Sequence, residues 1–252
     1  MNALRHFAAL LALAASLLHP TSAMADQLTV YSTVAAKGAL ELIAPDFERA
    51  SGQSVRFKFG TAAELKAEIE KGAPFDVALL TASAIDDLIK QSRLVSGSKT
   101  LVFKSGVGVA AKKGAAAPAV TTLEELKAAV LAAKAVALST QGATGPIVRR
   151  AFEKLGITEA MAPKLVLVSD MTAPEAVVRG RAELAFTQIS EILDTPDAQL
   201  LGPLPADLQS FTVFAAGTAP DTKTMGNASA FLKALASPTA QSHMRAKGLL
   251  PD

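Results

Sequence analysis

Short apolar runs alternate with segments of helical periodicity along most of this chain, and this alternation limits the possible folds most strongly. Residues 28–31 and 77–80 are apolar runs, and residues 55–59 alternate apolar with basic side chains. Each is followed by a segment with apolar residues at helical spacing, such as Leu40, Ile43 and Phe47. Repeated strand and helix patterns predict an α/β protein in which helices flank mostly parallel sheets.

The pattern starts again after Ser105 and breaks near residues 202–205. Further strands are predicted at residues 107–111, 136–138, 165–168, 183–187 and 211–215. We therefore predict two lobes, the first formed by residues 26–105 plus 208–252 and the second by residues 106–207. We expect the lobes to be linked near Ser105 and Asp207, and no single sheet to contain the strands at 28–31 and 136–138.

The N-terminus has the features of a secretory signal peptide. Arg5 and His6 precede a continuous apolar run from Phe7 to Leu18, and Ala23 and Ala25 are small residues at the positions that a signal peptidase reads. The run is shorter than the roughly 20 residues that span a bilayer. We expect residues 1–25 to be removed near Ala25 and the protein to be periplasmic, since large exported eukaryotic domains usually carry disulfides and this chain has no Cys.

Composition excludes several classes of function. The 252 residues include 25 Lys plus Arg and 23 Asp plus Glu, so there is no basic excess for nucleic acid. Without Cys there is no thiolate nucleophile, zinc knuckle or iron–sulfur cluster. Asp86 and Asp87 have no further acid or His at ligand spacing. We expect no metal and no cofactor, no nucleic-acid partner, and a monomer.

Four predicted strand ends run into helices through small, hydroxylated or glycine residues. These junctions are residues 32–36, 60–63, 139–145 and 169–172. In an open α/β sheet the carboxyl ends of the strands are where ligands bind, and helix N-termini there favour an anion. The alternative is that Ser and Thr stand there as helix N-caps. The four junctions together favour an anion site in the cleft between the lobes.

Several segments resemble the periplasmic molybdate-binding proteins of ABC transporters. They are residues 59–65, 69–77, 180–191 and 231–241, in the same order along nearly all of the chain after the signal peptide. The resemblance implies a two-lobed Venus-flytrap fold that holds an anion between its lobes with hydroxyl and backbone N–H groups. Exported relatives of this fold also handle organic acids, and some resemble aconitate isomerases.

The resemblance also implies a set of ligand-binding residues, which combine with those of the four junctions. Side chains would come from the junction threonines and from Gln188, which replaces a family tyrosine, and backbone amides from Ile147 and Met171. Ala35 and Ala62 or Ala63 replace family serines, which widens the cleft, and Lys37 adds a cation. The ligand-binding set is Thr33, Lys37, Thr61, Ala62, Thr140, Thr144, Ile147, Met171 and Gln188.

Two functions remain open. The first is a solute-binding protein that captures a small anion, preferably a di- or tricarboxylate, for an ABC-transporter permease; molybdate or a related oxyanion is the alternative ligand. The second is an isomerase on the same scaffold, similar to aconitate isomerase, which needs an acid–base group in the cleft. Lys37 and Asp170 are its candidate catalytic residues. The receptor is preferred on the fold alone, so we expect no catalytic residue.

Overall fold

The computed structural model describes residues 27–252. The signal peptide predicted at residues 1–25, with its cleavage site near Ala25, lies outside the described residues. None of the helices within the described part is both long and apolar enough to cross a membrane.

Ten strands and ten α-helices alternate along the described chain. The strands are β1 (Leu28–Thr33), β2 (Val55–Gly60), β3 (Val77–Thr81), β4 (Thr100–Lys112), β5 (Val136–Ser139), β6 (Leu165–Val168), β7 (Leu184–Gln188), β8 (Ala198–Pro203), β9 (Phe211–Thr218) and β10 (Leu250–Pro251). The helices are α1 (Lys37–Ser51), α2 (Ala62–Glu70), α3 (Ala82–Lys90), α4 (Leu123–Ala132), α5 (Thr144–Lys154), α6 (Thr158–Met161), α7 (Ala173–Val178), α8 (Ile189–Asp194), α9 (Met225–Leu235) and α10 (Pro238–Ala246). Short 3-10 turns precede α1 and follow α6.

The strands form one hydrogen-bonded path in the order β2-β1-β3-β9-β4-β7-β5-β6, with β8 and β10 also paired to β4. The outer strands are parallel: β1 pairs in parallel with β2 and β3, and β5 with β6 and β7. The central pairs of β9 with β3 and β4, and of β4 with β7 and β8, are antiparallel. The sheet is therefore mixed, with its parallel parts at the two ends.

Strand β4 lies in the middle of this path and connects its two halves. Its first part, Thr100 to Gly106, pairs with β9, whereas Val107 to Ala110 pairs with β7. Our expectation that the strands at 28–31 and 136–138 lie in unconnected sheets is wrong. The reason is that the chain crosses near Ser105 as the middle of a 13-residue strand and not as a loop.

The apolar side chains pack into separate cores on the two sides of that crossing. On one side, helices α1, α9 and α10 cover one face of strands β1 and β3, and α2 and α3 cover the other. On the other side, α4, α5 and α6 cover one face of strands β5 and β7, and α7 and α8 the other. We call these parts lobe I and lobe II. The α/β class with two lobes is confirmed, and the exact division at residues 105 and 207 stays a prediction.

The chain returns from lobe II beside the point where it entered. The Leu204 N–H donates to the Val107 carbonyl at 3.0 Å. The Gln209 amide then holds both backbone groups of Val107, accepting from its N–H and donating to its carbonyl, each at 2.9 Å. The two crossings are thereby tied together at one point.

Asp194 at the end of α8 ties lobe II to lobe I. One carboxylate oxygen accepts from the Gly38 backbone N–H in α1 at 2.8 Å, and the other accepts from the Lys247 Nζ at 2.8 Å. These bonds fix the position of α8, which follows strand β7 directly. The residues at the start of α8 are thus held at the boundary between the lobes.

Candidate functional site

A cavity of about 280 Å³ lies between the lobes at the carboxyl ends of the parallel strands. Lobe I lines it with residues that follow β1, β2 and β3, and lobe II with residues that follow β5, β6 and β7. The wall contains Ser, Thr, Gln and Gly residues, four carboxylic acids, and no Lys or Arg among the described residues. A ligand there would meet neutral hydrogen-bonding groups from both lobes.

All four predicted junctions contribute to this cavity. Strand ends from separate parts of the sequence are brought together because the carboxyl ends of parallel strands meet at one edge. Of the residues predicted to form the site, those in the cavity wall are Thr33, Thr61, Ala62, Thr140, Thr144, Asp170, Met171 and Gln188. Ala35, which stands where the resemblance places a serine, also lines it.

Two predicted residues do not line the cavity. Lys37 is the first residue of α1, and its half-exposed side chain lies along the helix, with Nζ 3.9 Å from Glu41 and 6.0 Å from the centre of the Phe59 ring. Ile147 is buried in the core of lobe II. The sequence pattern suggested that α5 starts at Pro146, but it starts at Thr144, which places Ile147 further along the helix.

Thr33 stands at the end of β1, where the chain enters the 3-10 turn Val34–Ala36. It occupies the N-cap position of that turn, but its side chain makes no capping hydrogen bond. The residue is 5% exposed, and its hydroxyl oxygen has no hydrogen-bond partner among residues 27–252. A buried polar atom without a partner is rare in native proteins and calls for an explanation such as a missing ligand or water.

The hydroxyl of Thr61, unlike that of Thr33, is engaged in hydrogen bonds within the protein. It is the N-cap of α2 and accepts from the Glu64 backbone N–H at 3.2 Å, while its own O–H donates to the Glu64 carboxylate at 2.8 Å. The Glu64 carboxylate also accepts from the Thr61 N–H, which completes a capping box. The alternative considered from the sequence, that the junction threonines are helix N-caps, therefore describes Thr61. Its hydroxyl is already hydrogen-bonded to Glu64.

Gln188 joins the two lobes at the cavity. It is 2% exposed, and its Nε2 donates to the hydroxyls of Thr144 at 3.3 Å and Thr212 at 3.1 Å. Its Oε1 is buried and has no hydrogen-bond partner in the described part of the chain. Because amide N and O positions are assigned from the network and both hydroxyls can donate, the amide can present either a donor or an acceptor to the cavity.

Asp170 lies at the rim of the cavity. Its carboxylate is 3.2 Å from Arg181 Nη1, and its side chain is 63% exposed. A hydrogen bond from its own backbone N–H, helped by Arg181, lowers the pKa of this carboxyl below its usual value. It is therefore a stable carboxylate and a poor proton carrier near neutral pH.

The predicted ligand-binding set omits several residues of the wall, although two of them, Ser139 and Ser169, belong to the predicted junctions. Thr81, Ser139, Ser169, Thr187 and Glu191 also line the cavity. Thr81, Ser139 and Thr187 end or nearly end their strands, so the rule that ligands bind at strand ends could have identified them. Thr81 also caps α3, accepting from the Ala84 N–H at 3.4 Å.

Glu191 is the most perturbed acid in the wall. Its Oε2 accepts from the Thr187 hydroxyl at 2.5 Å. Removal of the carboxyl from water is the main cause that raises its pKa to about 7; the charge of Asp194 adds to this, and the Thr187 hydrogen bond opposes it. No group of three His, Cys, Asp or Glu within residues 27–252 is arranged to hold a metal ion.

Fold and cavity together define a class: a two-lobed α/β binding protein with a polar cavity between its lobes. The chain belongs to the family described as bacterial extracellular solute-binding protein, whose model matches residues 28–250.

Individual relatives fall into two functional groups. An aconitate isomerase from a Pseudomonas species is 26% identical over 250 residues, which cover 96% of this chain and 95% of that protein. The molybdate-binding protein ModA of Azotobacter vinelandii is 28% identical over 169 residues, which cover 64% of this chain and 63% of that protein. The solved periplasmic molybdate-binding protein of A. vinelandii superposes with a TM-score of 0.77, covering 88% of this chain and 98% of its own at 21% identity.

Proposed function

We propose that this protein captures a small anion in the cavity between its lobes and delivers it to the permease of an ABC importer. The observation that carries the proposal is the pair of buried, unpartnered polar atoms in the cavity wall, Thr33 Oγ1 and Gln188 Oε1. They belong to different lobes, so one ligand that reaches both would satisfy them and hold the lobes together.

The N-terminus of α5 adds to these two groups. Helix α5 has 11 residues, and its N-cap Ala143 provides no side-chain cap. The first N–H groups of an uncapped helix carry partial positive charge and accept an anion well. With no Lys or Arg in the described wall, the anion would be held by neutral donors.

We further propose that the anion is a di- or tricarboxylate. Ala35 and Ala62 in the wall leave more room than side chains with hydroxyls would. The cavity volume is near the lower end of the roughly 300–1,000 Å³ that small organic ligands occupy. Lys37, the cation expected from the sequence, lies outside the wall and no longer supports this choice. The hydroxyl and amide groups of the wall keep molybdate, a symmetric oxyanion, as the alternative ligand.

A thermal-shift screen tests the ligand class. The purified protein is heated with molybdate, tungstate, sulfate, phosphate, citrate, and cis- and trans-aconitate in turn. A ligand at 100 times its Kd stabilises the native state by about 2.7 kcal/mol, which raises Tm measurably. We expect citrate or an aconitate to raise Tm most. A shift with molybdate or tungstate alone would overturn the carboxylate proposal, and no shift with any anion would overturn the receptor.

The second candidate is an isomerase, favoured by the aconitate isomerase that matches this chain nearly from end to end. Of the residues we considered for proton transfer, Lys37 lies outside the cavity and Asp170 is paired with Arg181. Incubation of the protein with trans-aconitate, followed by chromatography for the cis isomer, separates the two candidates. The receptor predicts binding without conversion, whereas turnover that grows with protein concentration would establish the enzyme.

A further inference from the structure

Glu191 places a carboxyl group in the wall of a cavity that, under the proposed function, receives an anion. The first turn of α8 holds it there, and the residue is partly exposed toward the cavity it lines. Among the described residues it makes no salt bridge, and its carboxyl group accepts a hydrogen bond from the hydroxyl of Thr187. A carboxylate in this position would repel an anionic ligand, because both charges would share one poorly hydrated space.

Charged groups on the neighbouring elements do not neutralise Glu191. Helix α8 packs on α1, the 3-10 turn Val34–Ala36, β4, β7 and β8. Strands β7 and β8 and the 3-10 turn carry no charged residue. On α1, Lys37 and Glu41 pair with each other at the surface. On α8 itself, Asp194 is bound to Lys247 and adds a negative field.

The remaining charged neighbours lie on β4 and across the cavity. On β4, Lys104 lies over the ring of Phe211, and Lys112 is exposed at the far end of the strand. Elsewhere in the cavity wall, Glu64 and Glu175 are held in the capping boxes of α2 and α7. Every charged group of the described wall is thus acidic.

We propose that Glu191 takes up one proton when the anion binds, so that the site accepts an anion and a proton together. The proton comes from solvent and ends on a Glu191 carboxyl oxygen, and no bond of the ligand changes. A protonated carboxyl has an O–H that can donate to a ligand oxygen, whereas a carboxylate can only accept. This inference rests on the proposed function, since it assigns a role to Glu191 in the binding of the anion.

The proposal fixes the sign of the pH dependence. The pKa of Glu191 in the free protein is raised to about 7, so the binding-competent, protonated form prevails below that pH. Above it the protonated fraction falls about tenfold per pH unit, and the apparent Kd rises by the same factor. At lower pH, Glu191 contributes no further dependence.

Isothermal titration calorimetry with trans-aconitate, and with molybdate as a second probe, tests the coupling. Titrations from about pH 6 to about pH 9, in buffers of different ionisation enthalpy, give the Kd and the number of protons taken up. We expect uptake of close to one proton near pH 8 and a Kd that rises up to tenfold per unit. Glu191→Gln, which mimics the protonated acid, should bind with a Kd that lacks this rise.

Two further variants keep the result interpretable. Glu159→Gln removes an exposed carboxylate on α6, away from the cavity, and should behave as the unmodified protein. Thr187→Val removes the hydrogen bond that favours the carboxylate form of Glu191, and should move the onset of the Kd rise to higher pH. This variant tests the proposal independently if Glu191→Gln folds poorly.

The outcomes separate this proposal from the function on which it rests. Binding with the same pH dependence in the unmodified protein and in Glu191→Gln, or without proton uptake, overturns the role of Glu191 and leaves the receptor intact. If neither trans-aconitate nor molybdate binds, and no anion of the thermal-shift screen raises Tm, the anion receptor is overturned and the proton coupling with it.

Discussion

Thr33 differs from the other threonines of the cavity in having a buried hydroxyl that no protein group uses. We predict that Thr33→Val weakens anion binding by roughly 1 to 3 kcal/mol, because the ligand loses one hydrogen bond and faces a methyl group instead. The same change should leave the ligand-free protein as stable as before or more stable by up to about 1 kcal/mol, since it removes an unsatisfied polar atom. Calorimetry with the bound anion and urea unfolding measure the two effects.

Thr172→Val is the matched control for that prediction. Thr172 also lines the cavity, but its hydroxyl accepts from the Glu175 backbone N–H and so caps α7. Its loss should lower the free energy of unfolding by about 1 kcal/mol. If Thr33→Val destabilised the free protein as much as Thr172→Val does, the hydroxyl of Thr33 would have a structural partner and the argument from its isolation would fail.

Glu191 should make the ligand-free protein less stable as pH rises. The ordinary pKa is 4.5 and the folded value is about 7, so between these the native state holds a proton that the unfolded chain has released. The free energy of unfolding therefore falls across this window, by about 3 kcal/mol, and is flat above it for this group.

Urea unfolding at several pH values above about pH 5 measures this fall, because the carboxyls with lowered pKa, such as Asp46 and Asp170, act at more acidic pH. Glu191→Gln should abolish the fall and be the more stable protein at pH values above the window. An unchanged pH profile in that variant would show that Glu191 ionises freely in the native state.

At the scale of single residues, the sequence predicted which residues line the cavity better than it predicted the hydrogen bonds that each side chain makes. Thr33 and Thr61 both follow a strand, and only the Glu64 three residues after Thr61 signals a capping box. Lys37 was expected to reach the ligand, but the direction of a side chain from the first residue of a helix depends on the preceding turn. That 3-10 turn has no clear sequence signature.

The contact between α1 and α8 depends on a glycine. A Cβ on Gly38 would lie 1.9 Å from an Asp194 carboxylate oxygen, so an added methyl group must displace the carboxylate. We predict that Gly38→Ala lowers the free energy of unfolding by about 1 to 3 kcal/mol, through overpacking and loss of the bonds that Asp194 makes to Gly38 and Lys247. Thermal or urea unfolding measures the change.

Gly226→Ala provides the comparison. Gly226 is also helical, in α9, and a Cβ there meets no atom within 4 Å. The substitution should stabilise by up to about 1 kcal/mol through helix propensity alone. Equal effects of the two substitutions would mean that Asp194 moves aside at no cost and does not tie the lobes together.

Helices and strands with a clear hydrophobic periodicity could be predicted from the sequence. Strands that exist mainly because they pair with a distant strand could not. The strands at 28–31, 136–138 and 165–168 were predicted within two residues of their observed ends. Strand β8 was missed because Gly202 and Pro203 indicate a turn, yet it pairs with β4 at the edge of the sheet, where Pro is tolerated. The first part of β4 was missed because only three consecutive apolar residues, 101–103, precede a Lys-Ser-Gly segment that does not look like a strand.

The shared strand should make the whole molecule unfold as one unit. Tyr31, the single Tyr of the chain, is buried in β1 of lobe I, so its fluorescence reports on that lobe. Far-ultraviolet circular dichroism reports on helices of both lobes. We predict coincident urea transitions by the two probes, because β4 cannot leave one lobe without breaking its pairing in the other. A second dichroism step that Tyr31 does not follow would contradict this.

The two-lobed α/β class followed from the sequence, because it depends on the alternation of strands and helices. The division of the chain between the lobes stays a prediction. The connection of all strands into one path did not follow. It depends on how β4 and β9 extend beyond their apolar segments, and pairing partners that are distant in sequence leave no local pattern.

The proximity of Val107 and Leu204 has a consequence for the ancestry and engineering of the chain. A segment of nearly a hundred residues leaves lobe I and returns to it at points joined by a 3.0 Å hydrogen bond. Deletion of residues 108–203 would therefore leave a gap that a connector of about three residues can close. Lobe II can be regarded as a cassette inserted into a hairpin of lobe I, and cassettes from relatives with other cavity walls could be exchanged at the same two positions.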